Sequence, residues 1–402
     1  MSAQYLSARL LTIQPSPSVA ANALVTELRA QGRDIINFTI GEPDFDTPAH
    51  VLQAAADAMA NGETHYTDTR GTLHLRNAIV TKLSRDNDLA YTLDEVIAGS
   101  GGKPLIYHAL AATLNPLDEV IVHAPYWVSY PDIARLNDAK PVVIPGDEGN
   151  GFKLTPQALE GAITPNSKWV ILNTPNNPSG AVYSREELLG LAEVLRRHPH
   201  VLILSDEIYE HFVYEGAQHL SIVNVAPDLK SRTLIINGAS KGYAMTGWRI
   251  GFAAGPSVLI QAIGKLISQT TTCPSSVSQA AAVAAFAGDQ TPVREMHKVY
   301  VQRREAMLAA LSDIDGLRCT PPQGAFYLFV NVSGLLGKQT PQGQTIASDA
   351  DLTTYLLQEA NVATVSGDAY GMSPYLRLSF ASPVEIIEDG CRKIAAACRK
   401  LS

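Results

Sequence analysis

The chain has 402 residues, of which 46% are hydrophobic and 17% charged, and a formal net charge of −8. This is the composition of a globular protein, and it excludes a disordered chain. The acidic surplus argues against a surface built for nucleic acid or an anionic membrane, either of which needs a basic footprint. At this length one core is outgrown, so a large domain with a smaller companion is expected.

From the N-terminus, MSAQYLSARLLTIQPSPSV has no apolar run suited to a secretory leader. No later segment approaches the roughly 20 apolar residues of a membrane span. Cys273, Cys319, Cys391 and Cys398 form no CxxC pair, and HExxH is absent. The expectation is a reduced, cytoplasmic protein with no metal site.

Short apolar runs then alternate with helical patterns. A helix is expected over Lys103–Leu114, and strands over Val120–His123 and Trp169–Asn173. A second helix is expected over Ser184–Arg197, where Ser184 and Glu187 have capping-box spacing. Further strands are expected over Val201–Ser205, Thr233–Asn237 and Ile250–Ala254. Runs this continuously apolar suit strands buried on both faces of a parallel sheet, and the alternation predicts an α/β fold. After Thr291 the pattern changes. Pro292 opens a long helix, strands follow at Ala325–Val330 and Tyr375–Ser379, and Pro383–Leu401 reads as an amphipathic helix, together a smaller α+β unit.

Polar clusters fall just past the strands. Ala124-Pro125-Tyr126-Trp127 follows one, and Thr174-Pro175-Asn176-Asn177-Pro178-Ser179-Gly180 another. Asp206-Glu207-Ile208-Tyr209 and Gly238-Ala239-Ser240-Lys241 follow two more. Singly, each could be a turn or a helix cap. In open α/β sheets ligands bind beyond the carboxyl ends of strands, so four such clusters point to one crevice. Lys241, between small residues after a buried strand, would be partly desolvated, which lowers its pKa and suits covalent capture of a carbonyl; the alternative is a solvated loop lysine. Arg249 suits a phosphate. Gly99-Ser100-Gly101-Gly102 offers bare N–H groups at a helix start. No GxGxxG is present, so a nicotinamide enzyme is disfavoured.

With those residues placed, the chain resembles the fold-type I, class I aminotransferases. Within them it is closest to the bacterial aspartate aminotransferase subgroup that uses a lysine for the substrate's distal carboxylate. The most specific stretch is GASKGYAMTGWRIG at 238–251. It is supported by IGEPDFDTP at 40–48, YTDTRG at 66–71, GSGGK at 99–103, APYWVSYP at 124–131, NTPNNPSG at 173–180, SDEIYE at 205–210 and RLSFA at 377–381.

The resemblance implies a large domain over 49–291 with a mainly parallel seven-stranded sheet, and a small domain over 292–402. Residues 1–48 would supply an arm and part of the small domain. It implies that Lys241 carries pyridoxal 5'-phosphate as a Schiff base and shuttles the catalytic proton. Asp206 would pair with the pyridine nitrogen, and Tyr209 and Asn177 would bond the ring's 3-oxygen. Trp127 would stack on the ring. Gly101, Gly102, Lys103, Ser240 and Arg249 would surround the phosphate, joined by Tyr66 from the neighbouring subunit of a homodimer with shared sites. Gly41, Lys103, Trp127 and Asn177 would face the substrate, and Arg377 would take its α-carboxylate.

Lys103 then favours aspartate or glutamate with 2-oxoglutarate or another 2-oxo acid. The subgroup usually reads GGKQ, whereas Pro104 follows Lys103 here. Relatives that use prephenate tend to carry lysine where this chain has Gln14, so prephenate activity is disfavoured. Alternatives that share the lysine, aspartate and arginine are an aminotransferase for another amino acid and a carbon–sulfur lyase. A cofactor-sensing regulator would need an added DNA-binding module; with roughly 40 residues before Gly41 and an acidic chain, none is expected.

Overall fold

The computed structural model describes residues 5–15 and 17–402. Met1–Gln4 and Ser16, which the expected arm includes, lie outside the described residues.

Strand β1 (Ile36–Asn37) comes first, followed by β2 (Val96–Gly99), β3 (Glu119–His123), β4 (Lys140–Ile144), β5 (Ser167–Asn173), β6 (Leu202–Asp206), β7 (Thr233–Gly238) and β8 (Gly251–Ala254). Strands β2–β8 form one seven-stranded sheet in the order β2-β8-β7-β6-β5-β3-β4. The pairs among β3, β4, β5, β6 and β7 are parallel. Only β8 runs against its neighbours, β2 and β7. The expected Ile250–Ala254 strand is therefore real but antiparallel, starting one residue later.

Side chains alternate between two cores. In β5, Trp169 and Ile171 join one face while Val170 and Leu172 join the other; Val120 and Val122 oppose Ile121 in β3 in the same way. Burial on both faces is why these strands read as unbroken apolar runs. Edge strand β4 (KPVVI) is only partly buried, and its mixed sequence gave no such signal.

The helix Arg185–Arg197 starts from Ser184 with both halves of the capping box made. The helix expected over Lys103–Leu114 runs over Gly102–Ala111. The long helix spans Thr291–Ser312, and the last spans Val384–Cys398.

The second sheet takes β9 (Arg318–Cys319), β10 (Tyr327–Asn331), β12 (Val365–Ser366) and β13 (Tyr375–Ser379), after the short β11 (Val362–Ala363). Its order is β12-β13-β10-β9, with antiparallel pairing throughout. Strand β10 begins at Tyr327 rather than Ala325 because Ala325 has φ 57°, a left-handed conformation that breaks the pleat. Strand β1 pairs in parallel with β11, Ile36 opposite Val362, which ties the N-terminal segment to this second layer. Among the described residues, no helix is long and apolar enough to cross a membrane.

Candidate active site

The parallel strands deliver their polar clusters to one end of the large sheet. Asn173 lies opposite Asp206, and Asp206 opposite Ile236, so the segments leaving β5, β6 and β7 emerge side by side. The order reverses between β3 and β5, opening the crevice expected at such a switch point. A cavity of about 660 Å³ lies there. Its walls include Gly41, Gly102, Lys103, Trp127, Asn177, Asp206, Tyr209, Ser240, Lys241, Arg249 and Arg377. Eleven of the expected site residues thus meet in one space, drawn from positions as far apart as 41 and 377.

Two expected residues do not line it. Gly101 is the N-cap of the helix Gly102–Ala111, with φ 99°. A Cβ at that position would come within 2.5 Å of the Arg249 guanidinium, so glycine is what allows arginine and helix start to approach. Tyr66 lies outside this cavity and is 87% exposed.

Asp206 ends β6 and is buried. Its Oδ2 accepts a 2.7 Å hydrogen bond from Tyr130 Oη, and its Oδ1 a 3.3 Å bond from the Ile208 N–H. Burial raises its carboxyl to about 6, against the opposing pull of those two bonds. Among the described residues it has no ion-pair partner, so it can accept a cationic ring N–H. Lys241 Nζ donates to the Gly41 carbonyl oxygen. Burial lowers this amine to about 8, with the Glu42 carboxylate pulling the other way. A partly neutral amine at neutral pH is a competent nucleophile and proton acceptor.

Arg377 sits in the middle of β13 and is 2% exposed. Its Nη1 donates to Asn177 Oδ1 (3.2 Å) and its Nη2 to the Thr39 carbonyl (2.6 Å). Nε is buried without a hydrogen-bond partner. Among the described residues no carboxylate pairs with this guanidinium. A buried, unpaired guanidinium is costly unless an anion arrives. Lys103 Nζ lies 4.8 Å from the Trp127 ring centroid, also without a carboxylate partner among the described residues. Burial, then the Arg249 charge, lowers its pKa.

Arg249 has φ 57° and donates from Nη1 to the Thr246 carbonyl oxygen, leaving Nη2 beside Gly101 and the helix start. Cation, helix N-terminus and small residues together fit a phosphate. The acid at 206, amine at 241 and anion cradle at 101–102 and 249 therefore fit pyridoxal phosphate.

Residues 33–394 match the model of the aminotransferase class I and II family. The chain belongs to that family. An aspartate aminotransferase of Rhizobium meliloti (strain 1021) is 48% identical, covering 98% of this chain and 97% of that protein. An aspartate/prephenate aminotransferase of Cereibacter sphaeroides is 46% identical, covering 99% and 100%. The crystal structure of the aspartate aminotransferase from Rhizobium meliloti matches with a TM-score of 0.96 at 47% identity, covering 99% of each chain. The Thermus thermophilus aspartate aminotransferase with maleate matches at 0.91 and 39% identity, covering 98% of this chain and 99% of that one. The chain is a pyridoxal-phosphate-dependent aminotransferase of fold type I.

Sequence reasoning missed several members of this aminotransferase's cavity. Tyr130 lies in the first turn of the helix Ser129–Leu136 and reaches Asp206; it stands inside APYWVSYP, but nothing in that stretch assigns it a partner. Tyr327 lies inside AFYLFV and reads as one more apolar strand residue. Thr39 and Asn37 contact the site through backbone and amide groups that no side-chain motif announces.

Proposed function

We propose that this aminotransferase exchanges the amino group between a dicarboxylic L-amino acid, aspartate or glutamate, and a 2-oxo acid. The observation that carries the reading is Arg377: a buried cation with no carboxylate partner among the described residues, facing the same cavity as Lys241 and Asp206.

In this reading Lys241 binds the cofactor covalently. Asp206, ionised and held by Tyr130, faces the pyridine nitrogen. Tyr209 and Asn177 bond the ring oxygen, and Trp127 covers the ring. Gly101, Gly102, Ser240 and Arg249 hold the phosphate, with Lys103 nearby. Pyridoxal phosphate, when bound, supplies an electron-poor ring that accepts the electron pair left when the substrate's α C–H bond breaks. Lys241 Nζ, released when the substrate's amine takes its place on the cofactor, would take that proton from the α carbon and deliver it to the cofactor's aldehyde-derived carbon. Arg377 holds the α-carboxylate through paired N–H groups, while Gly41 leaves room for the substrate beside Lys241.

Lys103 supports the dicarboxylate preference: it is a desolvated cation in the cavity wall without an acidic partner among the described residues. Two relatives at 46–48% identity carry the aspartate aminotransferase name, and one at 46% adds prephenate to it. Gln14 in place of lysine favours aspartate over prephenate here. The exposed ring of Tyr66 supports a homodimer in which each subunit lends this side chain to its neighbour's phosphate. The division into 49–291, 292–402 and an N-terminal part over 1–48, and a cytoplasmic location, belong to the same reading.

The test is incubation of the purified holoenzyme with aspartate and 2-oxoglutarate. Glutamate and oxaloacetate should form together, with a kcat/KM well above those for alanine or prephenate. Pyruvate released from cystathionine without an oxo-acid acceptor, and no glutamate, would refute the proposal in favour of a lyase.

A further inference from the structure

Tyr327 stands between the two sides of the cavity, and no motif assigns it a task. It opens β10 and is fully buried. In the β10–β13 register it lies opposite Ser379 while Phe329 lies opposite Arg377, which makes Tyr327 and Arg377 diagonal neighbours on one face. The Arg377 guanidinium carbon lies 4.4 Å from the Tyr327 ring centroid. The Tyr327 hydroxyl lies 2.9 Å from the Tyr209 hydroxyl, and the two rings meet edge to face at 5.8 Å. The same hydroxyl would be 3.4 Å from a Cβ placed on Gly41, so it is enclosed by protein on that side too. The charged and titratable groups near it include Arg377, Tyr209, Tyr370, Glu42 and Tyr300.

We propose that Tyr327 is a positioning residue with two separable tasks: its ring supports the buried Arg377 guanidinium for the substrate's α-carboxylate, and its hydroxyl anchors the Tyr209 phenol for the cofactor. The physical case for the first task is that Arg377 has no carboxylate among the described residues and keeps its charge on two hydrogen bonds and aromatic faces. The case for the second is that a buried phenol with a single fixed partner has one orientation. Loss of that partner frees the phenol to rotate and weakens its bond to whatever lies on the cavity side. The proposal rests on the roles given above to Arg377 and Tyr209.

The two tasks come apart in two variants of the holoenzyme. Tyr327→Phe keeps the ring and removes the hydroxyl; Tyr327→Leu removes both. The readouts are the Kd for maleate, by calorimetric titration, and the pH midpoint of the visible absorption of the bound cofactor. Tyr327→Phe should bind maleate within about two-fold of the parent while its midpoint rises by about half a unit, as a weakened phenol donor leaves the ring oxygen more basic. Tyr327→Leu should raise the maleate Kd by about 5- to 30-fold, the range between an exposed and a desolvated cation–ring contact.

Parent-like maleate binding by Tyr327→Leu overturns the first task, and an unmoved midpoint in Tyr327→Phe overturns the second. If Tyr327→Leu does not fold, Tyr327→Met removes the same ring with an unbranched side chain and carries the same expectation. Arg377→Ala is run alongside. If that variant binds maleate as the parent does, the carboxylate reading of the site is at fault instead.

Discussion

The Tyr130 hydroxyl donates a 2.7 Å hydrogen bond to the buried Asp206 carboxylate. Burial alone pushes that carboxyl upward, and this bond is the largest opposing influence. It keeps Asp206 ionised where an ionised acid is useful. Tyr130→Phe should therefore move the Asp206 carboxyl further above 6. A lost hydrogen bond to a charged group costs about 1.5–3 kcal/mol, so pyridoxal phosphate should bind the apoprotein about ten-fold or more weakly at pH 7. Fluorescence titration of the apoprotein checks this, and an unchanged Kd would contradict the role.

Asp206 also sets a pH dependence in the apoprotein. Its folded-state carboxyl titrates near 6, above the value of about 3.9 for an unfolded chain. A raised carboxyl binds its proton more tightly when folded. Its contribution to stability is thus fully present below pH ~4 and lost as pH rises to ~6. Asp206→Asn apoprotein should consequently melt higher than the parent at pH 8, and the gap should close on acidifying from pH 6 to 4. Melting curves at pH 4, 5, 6 and 8 would show it; a gap independent of pH would refute the assignment of the titrating group.

Arg377→Ala should remove the α-carboxylate partner and leave the Tyr209 and Asp206 side intact. The KM for aspartate should rise about 100-fold or more, the scale of losing a buried charged partner. Retention of pyridoxal phosphate on dialysis should match the parent. Equal loss of cofactor and substrate would place Arg377 in the wrong role.

Lys103→Ala separates dicarboxylic from monocarboxylic substrates. The kcat/KM for aspartate should fall about 10- to 100-fold, as for a lost charged hydrogen bond, with alanine nearly unaffected. A parallel fall for alanine would assign Lys103 to the phosphate.

How much was legible in the sequence follows from burial. Strands β3, β5, β6 and β7 are covered on both faces, so their runs are unbroken and their polar exits conspicuous. That is why Trp127, Asn177, Asp206 and Lys241 stand out in the sequence. The edge strand β4 and the two-residue strands β1, β9, β11 and β12 are too short or too exposed to leave a pattern. Strand β8 has the apolar content of a parallel strand, and only its pairing shows its direction.

The site shows the same division. Arg377 and Lys241 carry motifs because the roles proposed for them demand particular side chains. The Thr39 carbonyl that orients Arg377 is a backbone atom 338 positions away, and any residue could supply it. Tyr327 was hidden because a buried tyrosine in a strand has the pattern of core packing, and its role appears only through the Arg377 and Tyr209 contacts.

The central claim is that Lys241 holds the cofactor. Borohydride reduction of the holoenzyme, followed by proteolysis and mass spectrometry, tests it most directly. The account predicts a phosphopyridoxyl group on the peptide containing Lys241 and none in Lys241→Ala. The same modification on another lysine, or undiminished labelling of Lys241→Ala, would contradict it.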